Sequence, residues 1–138
     1  MSMKMVAVSA MLVLGMVTVS AKAEARPHLR DVPELNDGLT AIAAANMIRK
    51  ECATISPRMI KAYSYMRSLA TDAQDMGYAD DAIRKYVKNK AEKARVKGLA
   101  RAYLVEQGVT LGNAQSYCSV GLKEIKAASK IGVLLKAK

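Results

Sequence analysis

The sequence of 138 residues contains no Phe and no Trp, one His, two Cys and three Pro. Without Phe or Trp, a core must be built from Ala, Leu, Ile, Val, Met and the six Tyr, and it will be thin in large side chains. One His and two Cys are too few for a zinc set, and they assemble neither a Ser-His-Asp nor a Cys-His nucleophile. The spacing of Cys52 and Cys118 excludes both a Cys-x-x-Cys redox motif and a Cys-x-x-Cys-His haem attachment site. No apolar-polar alternation marks a strand, so no Gly-rich phosphate loop follows one. Internal repeats and low-complexity stretches are absent as well. Two acidic pairs remain. Asp72/Asp75 reads as exposed, and Asp80/Asp81 as charge at a helix start. Neither points to the cleft that general acid-base chemistry needs. The expectation is a protein without catalytic residues, metal or cofactor.

The chain begins with an apolar run. Lys4 precedes Met5 to Val19, built from Met, Val, Ala and Leu with Gly15 and Ser9 and Thr18 as its small polar members. About 15 residues match a signal-peptide core and fall short of the roughly 20 that span a bilayer. Ala21 and Ala23 then supply the small-x-small pattern for cleavage, leaving Glu24 as the new terminus. Cleavage after Ala25 and retention as a membrane anchor are the alternatives. Residues 1–23 are thus read as a signal peptide, and the expected location is the periplasm.

Export changes the meaning of the cysteines. Outside the cytoplasm two cysteines favour a bridge, and Cys52–Cys118 is the single pairing available. Signal removal also takes Met1, Met3, Met5, Met11 and Met16, leaving Met47, Met59, Met66 and Met76 as core filler at helical spacings.

Residues 24–35 carry two prolines and the lone His28, and read as an extended arm that lies on the surface or docks through Leu29, Val32 and Leu35. Residues 36–138 form the helical domain. Asn36-Asp37-Gly38 predicts a cap and Leu39 to Glu51 a first helix. Ser56-Pro57 predicts the start of a second, ending at Gly77, with Ala62, Met66, Leu69, Ala73 and Met76 on one face. A third runs from Asp80 to about Gln107, its inner side drawn from Ile83, Val87, Ala91, Ala94, Gly98, Ala102 and Val105. Gly98 there suggests close packing or a mild bend. A fourth spans Ala114 to about Ser129, and Ile131 to Leu135 docks as an apolar tail. The fold expected is all-α, a small bundle of about four helices closed by one disulfide.

Positive charge is the one feature above background. Removing Lys4 and Lys22 from the 22 cations leaves 20 against 12 acids, a net charge of +8. Arg84, Lys85, Lys88, Lys90, Lys93, Arg95, Lys97 and Arg101 face a single acid, Glu92, with Tyr86 and Tyr103 interleaved. Lys123, Lys126, Lys130, Lys136 and Lys138 continue the basic run. Such a surface is either simply solvated or meets an anionic partner: phospholipid head groups, a cell-wall polymer or an acidic protein. Nucleic acid is the least favoured of these outside the cytoplasm.

The motifs Arg49-Lys50-x-Cys52-x-x-Ile55-Ser56-x-Arg58, Met76-Gly77-Tyr78-x-Asp80-Asp81-x-Ile83, Tyr86-Val87 and Lys90-Ala-Glu-Lys93 resemble a small exported family, domain of unknown function 5333. Ala102-Tyr103-Leu104, Gly108-Val109, Cys118, Glu124-Ile125 and Ile131-Gly132-x-Leu134-Leu135 extend the likeness, which runs from about Leu29 to Leu135. Ala79 departs from the pattern, where a Ser cap is expected. The resemblance implies export and a matching cysteine pair, and it brings no catalytic residues. The function expected is a non-enzymatic binding or accessory protein, with a small periplasmic chaperone or assembly factor as the alternative.

Overall fold

Pro33, with its fixed φ and missing N–H, suits the first position of a helix. In the computed structural model, which describes residues 25–138, α1 starts there and spans Pro33–Glu51. The signal-peptide reading of residues 1–23 lies outside the described residues. The arm expected over residues 24–35 is less extended than its prolines suggested. Leu29–Asp31 form a 3-10 turn, α1 takes over two residues later, and Leu29, Val32 and Leu35 are buried. The cap predicted at Asn36-Asp37-Gly38 is instead the second turn of α1. Asn36 is buried, and its side-chain amide donates to the carbonyls of Leu29, Arg30 and Val32, folding the preceding turn against the helix.

After Cys52 the chain forms β1 (Ile55–Pro57), antiparallel to β2 (Leu135–Ala137), with Ser56 opposite Lys136. This corrects the expectation of a chain without strands. Three residues are too few to show an alternating pattern, and Pro57 fits a two-stranded ribbon because an edge strand tolerates a missing N–H. Ser56-Pro57 therefore does not start the next helix. Arg58 donates its N–H to the Leu134 carbonyl (2.7 Å), and α2 runs over Met59–Asp75. Gly77, at φ +90°, ends it: Tyr78 and Gly77 donate to the carbonyls of Ala73 and Gln74.

The predicted third helix is two helices, α3 (Asp80–Lys88) and α4 (Lys90–Glu106). Asn89 separates them. Its backbone is extended, and its side chain accepts from the Glu92 N–H at 3.0 Å, an N-cap in the middle of a helical pattern. Ala79, at the start of α3, makes no side-chain cap bond. Then α5 spans Ala114–Lys126, capped by Asn113. The molecule thus has five helices, rather than about four, and a short ribbon among the described residues.

The central element is α1, packed most extensively on α4 and also on α2 and α5. One apolar cluster joins Ala41, Ala44, Ala45 and Ile48 to Ala100, Leu104, Val120, Leu134 and Leu135. The Cys52–Cys118 disulfide, 5.1 Å between Cα atoms, ties the end of α1 to α5 within it. A second cluster joins Leu29, Val32 and Leu35 to Leu69, Ala73 and Ile83. Ile42 and Tyr65 pack against both.

The inner face predicted for the third helix is rotated. Val96, Ala100 and Leu104 are buried, whereas Ala91, Ala94, Gly98 and Ala102 are exposed. A Cβ at Gly98 would meet nothing within 4 Å, so no close packing requires that glycine. Gly132 is the opposite case: a Cβ there would collide with the backbone carbonyl of Glu124. Glu124 itself is buried and accepts from the hydroxyls of Tyr103 (2.7 Å) and Ser129. Burial, together with the Glu124 carboxylate, pushes the Tyr103 phenol up to about 12.

Candidate binding surfaces

The start of α4 is fixed by a polar node. Arg95 donates to Glu92 (2.8 Å), to the Tyr86 hydroxyl (3.0 Å) and to the Asn36 side-chain oxygen, which also accepts from Tyr86 (3.0 Å). Arg30 closes on the other Glu92 oxygen at 2.7 Å. The Arg95 hydrogen bond, with the charges of Arg30 and Arg95, holds the Glu92 carboxyl below the usual carboxylate range despite its shielding from water. The node sets the first turn of α4 beside the first turns of α1.

Seven of the eight cations singled out from the sequence are exposed on α3 and α4, and Arg95 is the exception. Arg95 belongs to the node. Arg84 and Lys85 each lie within 4 Å of Asp81 on their own helix, at 3.6 and 3.9 Å. Exposed pairs of this kind contribute little. Among the described residues, Lys88, Lys90, Lys93, Lys97 and Arg101 form no ion pair. Lys90, Lys93, Lys97 and Arg101 follow spacings of three, four and four, so they form one ridge along α4. Lys123, Lys126, Lys130, Lys136 and Lys138 are exposed too.

A second surface is an apolar groove. Because the middle of α1, Leu39 to Ile48, is apolar nearly all round, α4 and α5 cover one side while Leu39, Ile42 and Ala43 stay half-buried on another. These residues, with Asn46, form the floor of an open groove of about 470 Å³. Met59, Ala62 and Met66 of α2 make one wall, Tyr86, Val87 and Val96 the other, and Pro57, Leu134 and Leu135 also line it. Arg49, Glu92 and Lys93 bring charge to its lining.

The groove corrects the reading of the methionines. Met59 and Met66, expected in the core, are 67% and 50% exposed, and Ile60 and Tyr63 beside them are 85% and 64% exposed. Met76 is exposed and Met47 half-buried. Only the far half of α2, through Leu69 and Ala73, enters the core. The mostly apolar middle of α1, Leu39 to Ile48, is the sequence signal for it, since a helical stretch with no polar face needs cover on every side.

The sequence profile of a family of unknown function, DUF5333, matches residues 27–136. The chain belongs to that family. No curated protein and no solved structure matches it. The DUF5333 match covers all five helices, the groove lining, the cysteine bridge and all of the ribbon but Ala137. No helix among the described residues is long and apolar enough to cross a membrane.

Proposed function

We propose that this DUF5333 protein is exported to the periplasm and acts there without catalysis, by binding an anionic partner through the basic ridge of α3 and α4. The observation that carries this reading is the set of exposed cations Lys88, Lys90, Lys93, Lys97 and Arg101 on adjoining helices, which form no ion pair among the described residues. Clustered cations of this kind attract phospholipid head groups, cell-wall polymers or acidic proteins, and the attraction falls with ionic strength. The bridge and the apolar beginning of the chain support an oxidising compartment.

The test is binding of the protein to anionic vesicles and to cell-wall fragments at low and high salt. Salt-sensitive binding to one of them, weakened in K97E/R101E, is expected. No salt-sensitive binding to either rules out those two partners.

One observation favours a second reading, a holding chaperone. The exposed Met59, Ile60, Tyr63 and Met66 give α2 an apolar face that an unfolded client can occupy. Suppression of client aggregation, in both oxidised and reduced protein, would support it. Inertness in both states would exclude it.

A further inference from the structure

We infer that the groove over α1 receives the apolar face of an amphipathic helix from a partner protein, one that carries acidic residues at both ends of the contact. This rests on the reading of the protein as a binder of anionic partners, and it gives that partner a shape. The floor runs from Leu39 to Arg49, about 15 Å at the rise of an α-helix. That is close to three helical turns, the span over which a docked helix presents anchors at i, i+4, i+7 and i+11. The lining is mostly aliphatic, and Met59 and Met66 are unbranched side chains that adapt to varied anchors.

Charge decides against a single-headed amphiphile such as a fatty acid. The node of Asn36, Tyr86 and Arg95 sets the first turn of α4 beside the start of α1, so Lys93 borders the near end of the groove. Arg49, in the last turn of α1, borders the far end. Neither cation has an ion-pair partner among the described residues. Glu92, the one acid in the lining, is already neutralised by Arg30 and Arg95. Cations at both ends of an apolar trough match a segment with acids at both ends, whereas one head group would use only one of them. A second copy of this chain is disfavoured by repulsion between two strongly basic molecules.

The probe is a fluorescein-labelled helical peptide of about 18 residues, with Leu at i, i+4, i+7 and i+11 and Glu at both ends. Its controls are the same composition with the Leu spacing scrambled, and the periodic peptide with Lys in place of Glu. Saturable anisotropy is expected for the acidic periodic peptide, with both controls at least about tenfold weaker. Met66→Glu and Met59→Glu change exposed residues, so they should leave the melting temperature unchanged and weaken binding at least about tenfold. Arg49→Glu and Lys93→Glu should weaken it as well. Equal binding of periodic and scrambled peptides would overturn the proposal, as would indifference to Met66→Glu. Stoichiometric binding of oleate without the peptide would assign the groove to an acyl chain instead. A dimer in sedimentation that Met66→Glu dissolves would assign it to a second copy. K97E/R101E lies off the groove lining, so it separates the two readings: peptide binding should survive it while vesicle binding falls. Vesicle binding without peptide binding would remove the groove proposal alone.

Discussion

Asn36 touches five groups: the carbonyls of Leu29, Arg30 and Val32, the Tyr86 hydroxyl and the Arg95 guanidinium. Its place before Asp37-Gly38 made it look like a helix cap, because Asn serves caps and buried networks equally well. Burial separates the two roles, and burial depends on Tyr86 of α3 and Arg95 of α4, 50 and 59 residues away. The same network governs Glu92. Arg95 and Arg30 lower its proton affinity in the folded state relative to the unfolded chain. A depressed carboxyl contributes stability above its unfolded value, and that contribution disappears as pH falls through the folded one. Wild-type stability should therefore drop as pH falls from about 5 through the ordinary glutamate range and below it. Glu92→Gln should be less stable at neutral pH and show a shallower drop over that window. Urea midpoints of both proteins across this range decide it. Parallel slopes would mean that Glu92 is not the group responsible.

At the scale of elements, most helices were legible, and their faces and ends were less so. Asp80 to Gln107 has a continuous helical composition, and only the capping role of Asn89, with Glu92 three residues on, divides it. The apolar stripe went astray for a related reason. Ala91, Ala94 and Ala102 are as good helix formers as Ala100, and alanine is too weakly hydrophobic to declare which face is buried. Leu104 decides the matter by packing in the cluster with α1, and Val96 is buried on the same face of α4. The ribbon escaped notice because its partners, Ile55–Pro57 and Leu135–Ala137, lie nearly 80 residues apart and are three residues each. Gly98 offers a test of the corrected α4 face. It sits inside a helix, exposed, with open space where a side chain would project. Gly98→Ala should therefore stabilise the protein by about 1 kcal/mol, through helix propensity alone. Denaturant midpoints measure this directly. A loss of stability would show that the position is packed, as the stripe reading required.

At the scale of the whole molecule, charge and bridge were legible because each is a matter of counting. The groove is legible only in part: the apolar middle of α1 calls for cover, but the opening arises from where α2 departs from α1, and no local pattern encodes that. The two apolar clusters also differ in how they are held. The cluster of Leu29, Leu35, Leu69 and Ile83 has the Asn36 and Glu92 network beside it, whereas the cluster of Ile48, Leu104, Val120 and Leu135 contains the disulfide. With no Phe or Trp to fill either one, the bridge between residues 66 apart in sequence should account for about 4 kcal/mol on the chain-entropy account. That is a large share of the total for a domain of this size, about 5–15 kcal/mol. Replacing both cysteines by Ala should lower the denaturant midpoint accordingly. The loss should also be uneven. Because α5 is held by α1, the ribbon, the turn at Gly132–Leu134 and the Tyr103–Glu124 hydrogen bond, with the bridge at its centre, its amides should exchange faster in the variant, while those of α2 near Leu69 and Ala73 keep more of their protection. Uniform acceleration across the chain would instead mean that the bridge acts by restricting the unfolded state alone. An unchanged midpoint would mean that the aliphatic core holds α5 without it.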